Sequence, residues 1–407
     1  MLTVLQIALL CITGFFSSYL LLLSMLALMA RRRATFGTKE RHRFALVTPA
    51  HNEESAIART LQSFFMIDYP PELRDIVVVA DNCSDATARV AREAGAIVYE
   101  REDRGLRGKG YALRWVFDKF AEEEAGYDAV VVIDADSAAS RNFLSVMNYY
   151  LANGMRALQS SDLVTPEPGV WSVEATRLGF TLYNYVRPLG RRMLGGHAGA
   201  RGNGMCFAWS ALERVPWTAF SQNEDLEYGL QLLLNGIPVA FAPEAEVLAT
   251  MPAVARNAES QRSRWEAGRF MMIRKYAWPL LRAFVARRSF AFFDAFVDLV
   301  MPPLVNFLAL CLMLGAASGA LALIGVLHPV FPLLWVLVTL LAVLHMVFGL
   351  RAPGVDPSLR TTLVHIPRYA WWKLLLYLRL VRKGHTSEWV RTTREQPSPE
   401  VTDLFKG

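Results

Sequence analysis

The sequence predicts an α/β domain with a mostly parallel sheet covered by helices, joined to helices that cross or lie on a membrane. Three observations carry this. Short apolar runs alternate with helix-length segments between residues 45 and 153. Long stretches at 1–30 and 299–350 carry no Asp, Glu, Lys or Arg. Acidic and amide residues stand directly after three of the short apolar runs.

The membrane elements follow from length and charge. A spanning helix needs about 20 apolar residues, and 1–30 supplies them. Arg31, Arg32 and Arg33 follow that run, whereas a secretory signal peptide carries its basic residues ahead of it. The positive-inside rule then places the next domain in the cytoplasm and the N-terminus outside, as in a multi-pass protein of the cell (inner) membrane. His328, Pro329 and Pro332 interrupt the second uncharged stretch. This predicts a spanning hairpin over 299–326 and 331–350, with Pro302 and Pro303 kinking or starting its first helix. In and just after 363–381, Arg368, Trp372, Arg379, Arg382 and Lys383 gather roughly on one helical face. That pattern predicts an interfacial helix, with a further spanning helix as the alternative. Segment 253–290 mixes Trp265, Phe270, Tyr276 and Trp278 with Arg and Lys and also reads as interfacial. The expected plan is a spanning helix at 1–30, a cytoplasmic α/β domain at 31–252 and interfacial helices at 253–298. The spanning hairpin at 299–350 and an interfacial helix with a C-terminal loop at 351–407 complete it.

Composition narrows the partners. At 53% hydrophobic, the 407-residue chain is too apolar for one ordinary soluble domain. The net charge of +6 lies largely beside the apolar segments, which points to a lipid bilayer surface. No nucleic-acid recognition motif accompanies it, so no nucleic-acid partner is expected. Cys11, Cys83, Cys206 and Cys311 form no closely spaced pair and read as small buried hydrophobes rather than metal ligands or disulfides.

Strands are expected at 45–48, 76–80, 97–99 and 130–133, and helices at 55–65, 85–94, 110–123 and 140–153. Such alternation implies a parallel sheet covered on both faces. Ligands of such sheets bind beyond the carboxyl ends of the strands. The residues there are Thr48 through Glu54, including Glu53; Asp81-Asn82-Cys83-Ser84-Asp85; and Asp134-Ala135-Asp136-Ser137. Crowded like charges need neutralising. A Mg2+ or Mn2+ ion on a diphosphate would do so, because hard oxygen ligands suit it. Asp85 and Glu53 also suit helix starts. Lys109, opening a helix after Arg107-Gly108, can contact a phosphate. Asn223-Glu224-Asp225 precedes a helix and offers a carboxylate base for an acceptor hydroxyl. The run Gly199-Ala200-Arg201-Gly202-Asn203-Gly204 would let backbone approach a ligand closely.

In this order the pieces resemble the family 2 glycosyltransferases, especially the membrane-embedded cellulose, chitin-oligosaccharide and hyaluronan synthases; ceramide glucosyltransferases are similar too. The resemblance spans about 45–394 and implies a GT-A-like fold. It places Asp81 on the nucleotide base and Asp134-Ala135-Asp136 as the DxD motif, with Asp136 on the metal. Asn223-Glu224-Asp225 resembles the TED motif, with Asp225 the catalytic base and Glu224 near the acceptor. Gln261-Arg262-Ser263-Arg264-Trp265 matches QxxRW. There Gln261 and Arg264 serve the diphosphate, and Trp265 offers a flat face to an acceptor sugar. Trp389-Val390-Arg391-Thr392-Thr393-Arg394 resembles a gating loop, with Trp389, Thr392 and Arg394 closing over the nucleotide. Thr48, Glu53 and Lys109 complete the expected nucleotide-sugar set. The base-contact region departs from the family, reading Ala80-Asp81-Asn82 in place of a double aspartate.

The resemblance implies an inverting hexosyl- or N-acetylhexosaminyltransferase using a nucleotide-sugar, with UDP the leading expectation. The expected acceptor is a growing β-linked polysaccharide or oligosaccharide; the alternative is a membrane lipid receiving one sugar. About three spanning helices are evident, so secretion of a polymer would call for an oligomer or a secretion partner.

Overall fold

The computed structural model describes residues 1–167, 170–250 and 255–365, and for 255–267 and 365 the backbone only. The chain divides into two compact units.

One unit, of Arg32–Thr165 and Gly195–Leu299 among these residues, holds the sheet. Its strands are β1 (Phe44–Ala50), β2 (Arg74–Asp81), β3 (Ile97–Arg101), β4 (Ala129–Val132), β5 (Ser137–Ala139), β6 (Ala157–Val164), β7 (Met205–Ala208) and β8 (Ala240–Ala249). Their order across the sheet is β3-β2-β1-β4-β7-β6-β8-β5. The first four are parallel and are the four expected strands. β1 is apolar almost throughout because both of its faces are covered. Side chains alternate between faces. Phe44 and Leu46 therefore join a core with Leu61, Phe64, Phe143 and Met147. Ala45 and Val47 join another with Leu113, Val116, Trp217 and Tyr228.

The helices that cover the sheet begin close to expectation, at Ile57–Phe65, Thr87–Glu93, Lys109–Glu122 and Phe143–Ala152. The rest of the sheet is mixed. β7 runs antiparallel to β4, pairing Met205 with Val132. The carboxyl end of β4 thus meets the amino end of β7, and the glycine-rich run arrives beside Asp134. β6 runs antiparallel to β7, pairing Gln159 with Met205, and so carries Asp162 past the same edge.

The other unit gathers Met1–Arg31, Pro166–Leu194 and the described residues from Val300 onward. It contains three helices long and apolar enough to cross a membrane: Leu2–Met29, Leu304–Leu323 and Val330–Gly349. Pro303 caps the second of these, so the proline pair starts the helix rather than kinking it. Polar side chains pair across this apolar unit. Trp335 Nε1 donates to Gln6 at 2.8 Å, and the Ser24 hydroxyl lies 2.6 Å from His345 Nδ1. Segment Pro166–Leu194, within the span read from sequence as α/β domain, belongs here. It forms the helix Trp171–Phe180, a π-helical stretch Thr181–Val186 and the helix Arg187–Met193.

Candidate active site

Parallel pairing brings the ends of β1, β2 and β4 to one edge, where two acidic groups differ sharply. The first is at β2. Asp81 stands opposite Arg101 of β3, and their side chains form a buried ion pair at 2.6 Å. Asn82, at φ +52°, turns its carboxamide back: Nδ2 donates to Asp81 Oδ1 at 2.9 Å, and Oδ1 accepts from Asp103 N. The loops after β1 and β2 are laced together. Glu53 N donates to Thr87 Oγ1, Glu54 accepts from Ala86 N, and Asp85 accepts from Thr87 N and Oγ1. Asp85 thus braces the residue that opens the helix Thr87–Glu93, whose cap position is Ala86 and not Asp85. Thr48 is fully buried in β1, and its hydroxyl has no hydrogen-bond partner among the described residues.

The second group surrounds Asp134. Lys109 Nζ lies 2.5 Å from Asp134 Oδ1 and 2.5 Å from the Gly202 carbonyl. Gly110, next along that helix, packs where a Cβ would collide with the Ala219 carbonyl, with Glu224 just beyond. This close approach sets Lys109 near the start of the helix Glu224–Leu234. Gly202, at φ +85°, passes beneath Asp225; a Cβ there would lie 3.1 Å from Asp225 Oδ2. Only glycine combines that backbone with so little bulk.

The electrostatics record an excess of acid. Burial and the neighbouring Asp225 charge raise Glu224 from the usual 4.5 to about 8, against the pull of Lys109. Burial also raises Asp225, opposed by the Leu226 backbone N–H and the charges of Lys109 and Arg201. On β6, Asp162 is raised well above its ordinary value by burial and then by the charge of Asp134. Burial would lower the Lys109 pKa, but Asp134 and Glu224 overcome it and hold the ammonium charged.

Among the described residues, no group of three or more His, Cys, Asp or Glu could hold a metal ion by itself. A magnesium-like ion takes only one or two carboxylates from protein and the remainder from phosphate and water. The half-buried Asp134 and Asp136, inside an acid-rich cluster, fit that sharing.

The remaining expected residues lie further along the chain. Gln261, Arg264 and Trp265 fall on the helix Ala255–Arg287, described there by its backbone alone. That helix seats on Glu224–Leu234. Gly268 packs where a Cβ would collide with Asn223 Oδ1, and Lys275 pairs with Glu227 at 2.5 Å. At about 1.5 Å per residue, Gln261 and Trp265 stand within about 11 Å of Gly268 along the helix axis. Trp389, Thr392, Arg394 and most of 363–381 lie outside the described residues. Asn203 and Asp162 were not anticipated from sequence, although the glycine-rich run carrying Asn203 was.

The architecture is a GT-A-like fold. It superimposes with a TM-score of 0.53 on the mannosyltransferase PcManGT from Pyrobaculum calidifontis, solved in complex with GDP-Man and Mn2+. That match covers 86% of this chain and 99% of the other at 17% identity. The family described as "Glycosyltransferase like family 2" matches residues 42–268. The chain belongs to that family. YdaM of Bacillus subtilis (strain 168), named a probable glycosyltransferase, is 24% identical over 389 residues, 88% of each chain. The beta-monoglucosyldiacylglycerol synthase of Synechocystis sp. (strain ATCC 27184 / PCC 6803 / Kazusa) is 28% identical over 242 residues. That alignment covers 57% of this chain and 48% of the relative.

Proposed function

We propose that this chain is an inverting glycosyltransferase that moves one hexosyl group from a nucleotide-sugar to a hydroxyl of a membrane lipid at the cytoplasmic face. The observation that carries the donor half is the cluster of Asp134, Glu224 and Asp225 around one lysine. A bound Mg2+ or Mn2+, held by Asp136, would offset the negative charge of the donor diphosphate. Lys109 offers a second positive charge to the phosphates, and Asp134 holds its ammonium in place. Asp225 takes the proton of the acceptor hydroxyl as its oxygen bonds to the anomeric carbon. The bond from that carbon to the diphosphate breaks, and the nucleoside diphosphate leaves. A single displacement inverts the centre, so an α-linked donor gives a β-glycoside. The raised Asp225 pKa suits a base, because a stronger base draws the proton more readily. Arg264 and Trp265 are assigned to the diphosphate and the acceptor, and Asp81 to the nucleotide base. Trp389, Thr392 and Arg394 are assigned to closure over the donor.

The lipid acceptor is supported by the beta-monoglucosyldiacylglycerol synthases among the relatives and by three helices able to span a bilayer. A second reading, elongation of a β-linked glycan, is favoured by the Gln261-Arg262-Ser263-Arg264-Trp265 motif. Mass spectrometry of products from membranes given a panel of nucleotide-sugars, UDP- and GDP-linked, separates the two. One glycolipid species is expected; a ladder of chain lengths would replace the lipid reading with elongation. No hexosyl product from any donor would remove both.

A further inference from the structure

The turn 134–137 is tight, with Ser137 N donating to the Asp134 carbonyl at 3.2 Å. One carboxamide grips it from outside. Asn203 Oδ1 accepts from Asp134 N at 3.1 Å. Asn203 Nδ2 donates to Ser137 Oγ at 2.9 Å and to Asp162 Oδ1 at 3.2 Å. The backbone amide of Asp134 can only donate, so the oxygen of the carboxamide must face it. The Ser137 hydroxyl accepts from Asn203 and has one proton left, which points to Asp136 Oδ1 at 3.3 Å.

We infer that Asn203 is a positioning residue for donor binding, fixing Asp134 through its backbone and aiming the Asp136 carboxylate through the Ser137 hydroxyl. Asn203 is 4% exposed and Ser137 fully buried, so bulk water has little access to replace either bond. Asn203 is itself anchored. Its carbonyl accepts from Gln159 Nε2 at 2.7 Å, and Gln159 Oε1 accepts from Arg201 N at 2.8 Å. The flanking residues Gly202 and Gly204 turn at φ +85° and +70°. A side chain on Gly204 would collide with Ser160. The same tripeptide gives its Gly202 carbonyl to Lys109 and passes under Asp225. The turn carrying the donor's carboxylates and the base are therefore indexed to one piece of backbone.

This inference rests on reading 134–136 as the donor site, and the test separates the two. Binding of UDP and of GDP to the full-length protein in detergent is measured by calorimetry across a Mn2+ titration. Asn203→Ala is expected to weaken Mn2+-dependent nucleotide binding by about 10–100-fold and to need more Mn2+ for half-saturation. Ser137→Ala, which removes the relay to Asp136 and one of the two acceptors of Asn203 Nδ2 but leaves the bond to the Asp134 amide, is expected to shift Mn2+-dependent binding the same way by less. The acidic limb of the pH–rate profile, set by Asp225, stays in place in both. Wild-type Mn2+ dependence in both variants would overturn the inference. So would a loss of affinity equal with and without Mn2+, which marks general loosening of the fold. If the wild-type protein binds neither nucleotide with Mn2+, the donor-site reading falls, and this inference with it.

Discussion

The two acidic groups at the sheet edge are neutralised in opposite ways. Asp81 is held by the guanidinium of Arg101, which also reaches the more exposed Asp103, and the Asp81–Arg101 pair is sealed from solvent. Asp134, Glu224 and Asp225 lie around Lys109, and burial first, then the neighbouring acids, raises the pKa values of Glu224 and Asp225 against the pull of that lysine. A carboxylate held by a buried arginine is complete within the protein. Acids that share one lysine retain an affinity for cations, which the proposed metal-bound diphosphate would bring. The difference also narrows Asp81. Its Oδ1 is taken by Arg101 and Asn82, so a contact with a nucleotide base would fall to Oδ2.

Breaking each group should therefore fail differently. Asp225→Asn is expected to lower transfer by about 10²–10⁴-fold while nucleotide binding persists. Turnover near that of wild type would remove Asp225 as the base. Arg101→Met strands a buried carboxylate and should cost about 3–5 kcal/mol of stability. The melting temperature should drop, and pairing the change with Asp81→Leu should restore most of it. An unshifted melting temperature would mean that Asp81 is not sealed as described.

Lys109→Met acts on the shared cluster. Transfer should fall by about 10²-fold through lost phosphate stabilisation. Lys109 lowers the Asp225 pKa, so the acidic limb of the kcat/KM profile should also move to higher pH. A limb that stays or moves down would contradict the shared-lysine picture. The smallest effect concerns stability against pH. The folded-state pKa of Glu224 is raised from 4.5 to about 8. Its contribution is fully present below the usual carboxylate range and is lost as pH rises through about 8. Glu224→Gln should flatten the decline of melting temperature across that window, and an unchanged slope would show that Glu224 does not titrate there.

The parallel half of the sheet was legible because β1, β2 and β4 are buried on both faces and read as Val- and Ala-rich runs ending in polar tips. The mixed half was not. β5 is three residues of Ser and Ala, β6 contains Gln159, Ser160, Ser161 and Asp162, and β8 contains Pro243, Glu244 and Glu246. Their polar side chains bond within the fold, as Gln159 and Asp162 do to Asn203, so burial there leaves no apolar signature. The acids of the site announced themselves by following strands. Asn203 did not, because its partners at Asp134, Ser137 and Asp162 are 41 to 69 positions away in the chain. Glycines on either side were its only local trace. The π-helical stretch at Thr181–Val186 left no pattern at all, since its register depends on tertiary packing.

The proposed reaction is a single displacement driven by Asp225 on a donor held at Asp134 and Asp136. The most direct test is the anomeric configuration of the new linkage, read by NMR on product made from α-linked UDP-sugars. A β-linkage formed by the wild-type chain and absent with Asp225→Asn is the expected result. An α-linkage would contradict the single displacement, and a β-linkage formed equally well by Asp225→Asn would contradict the base.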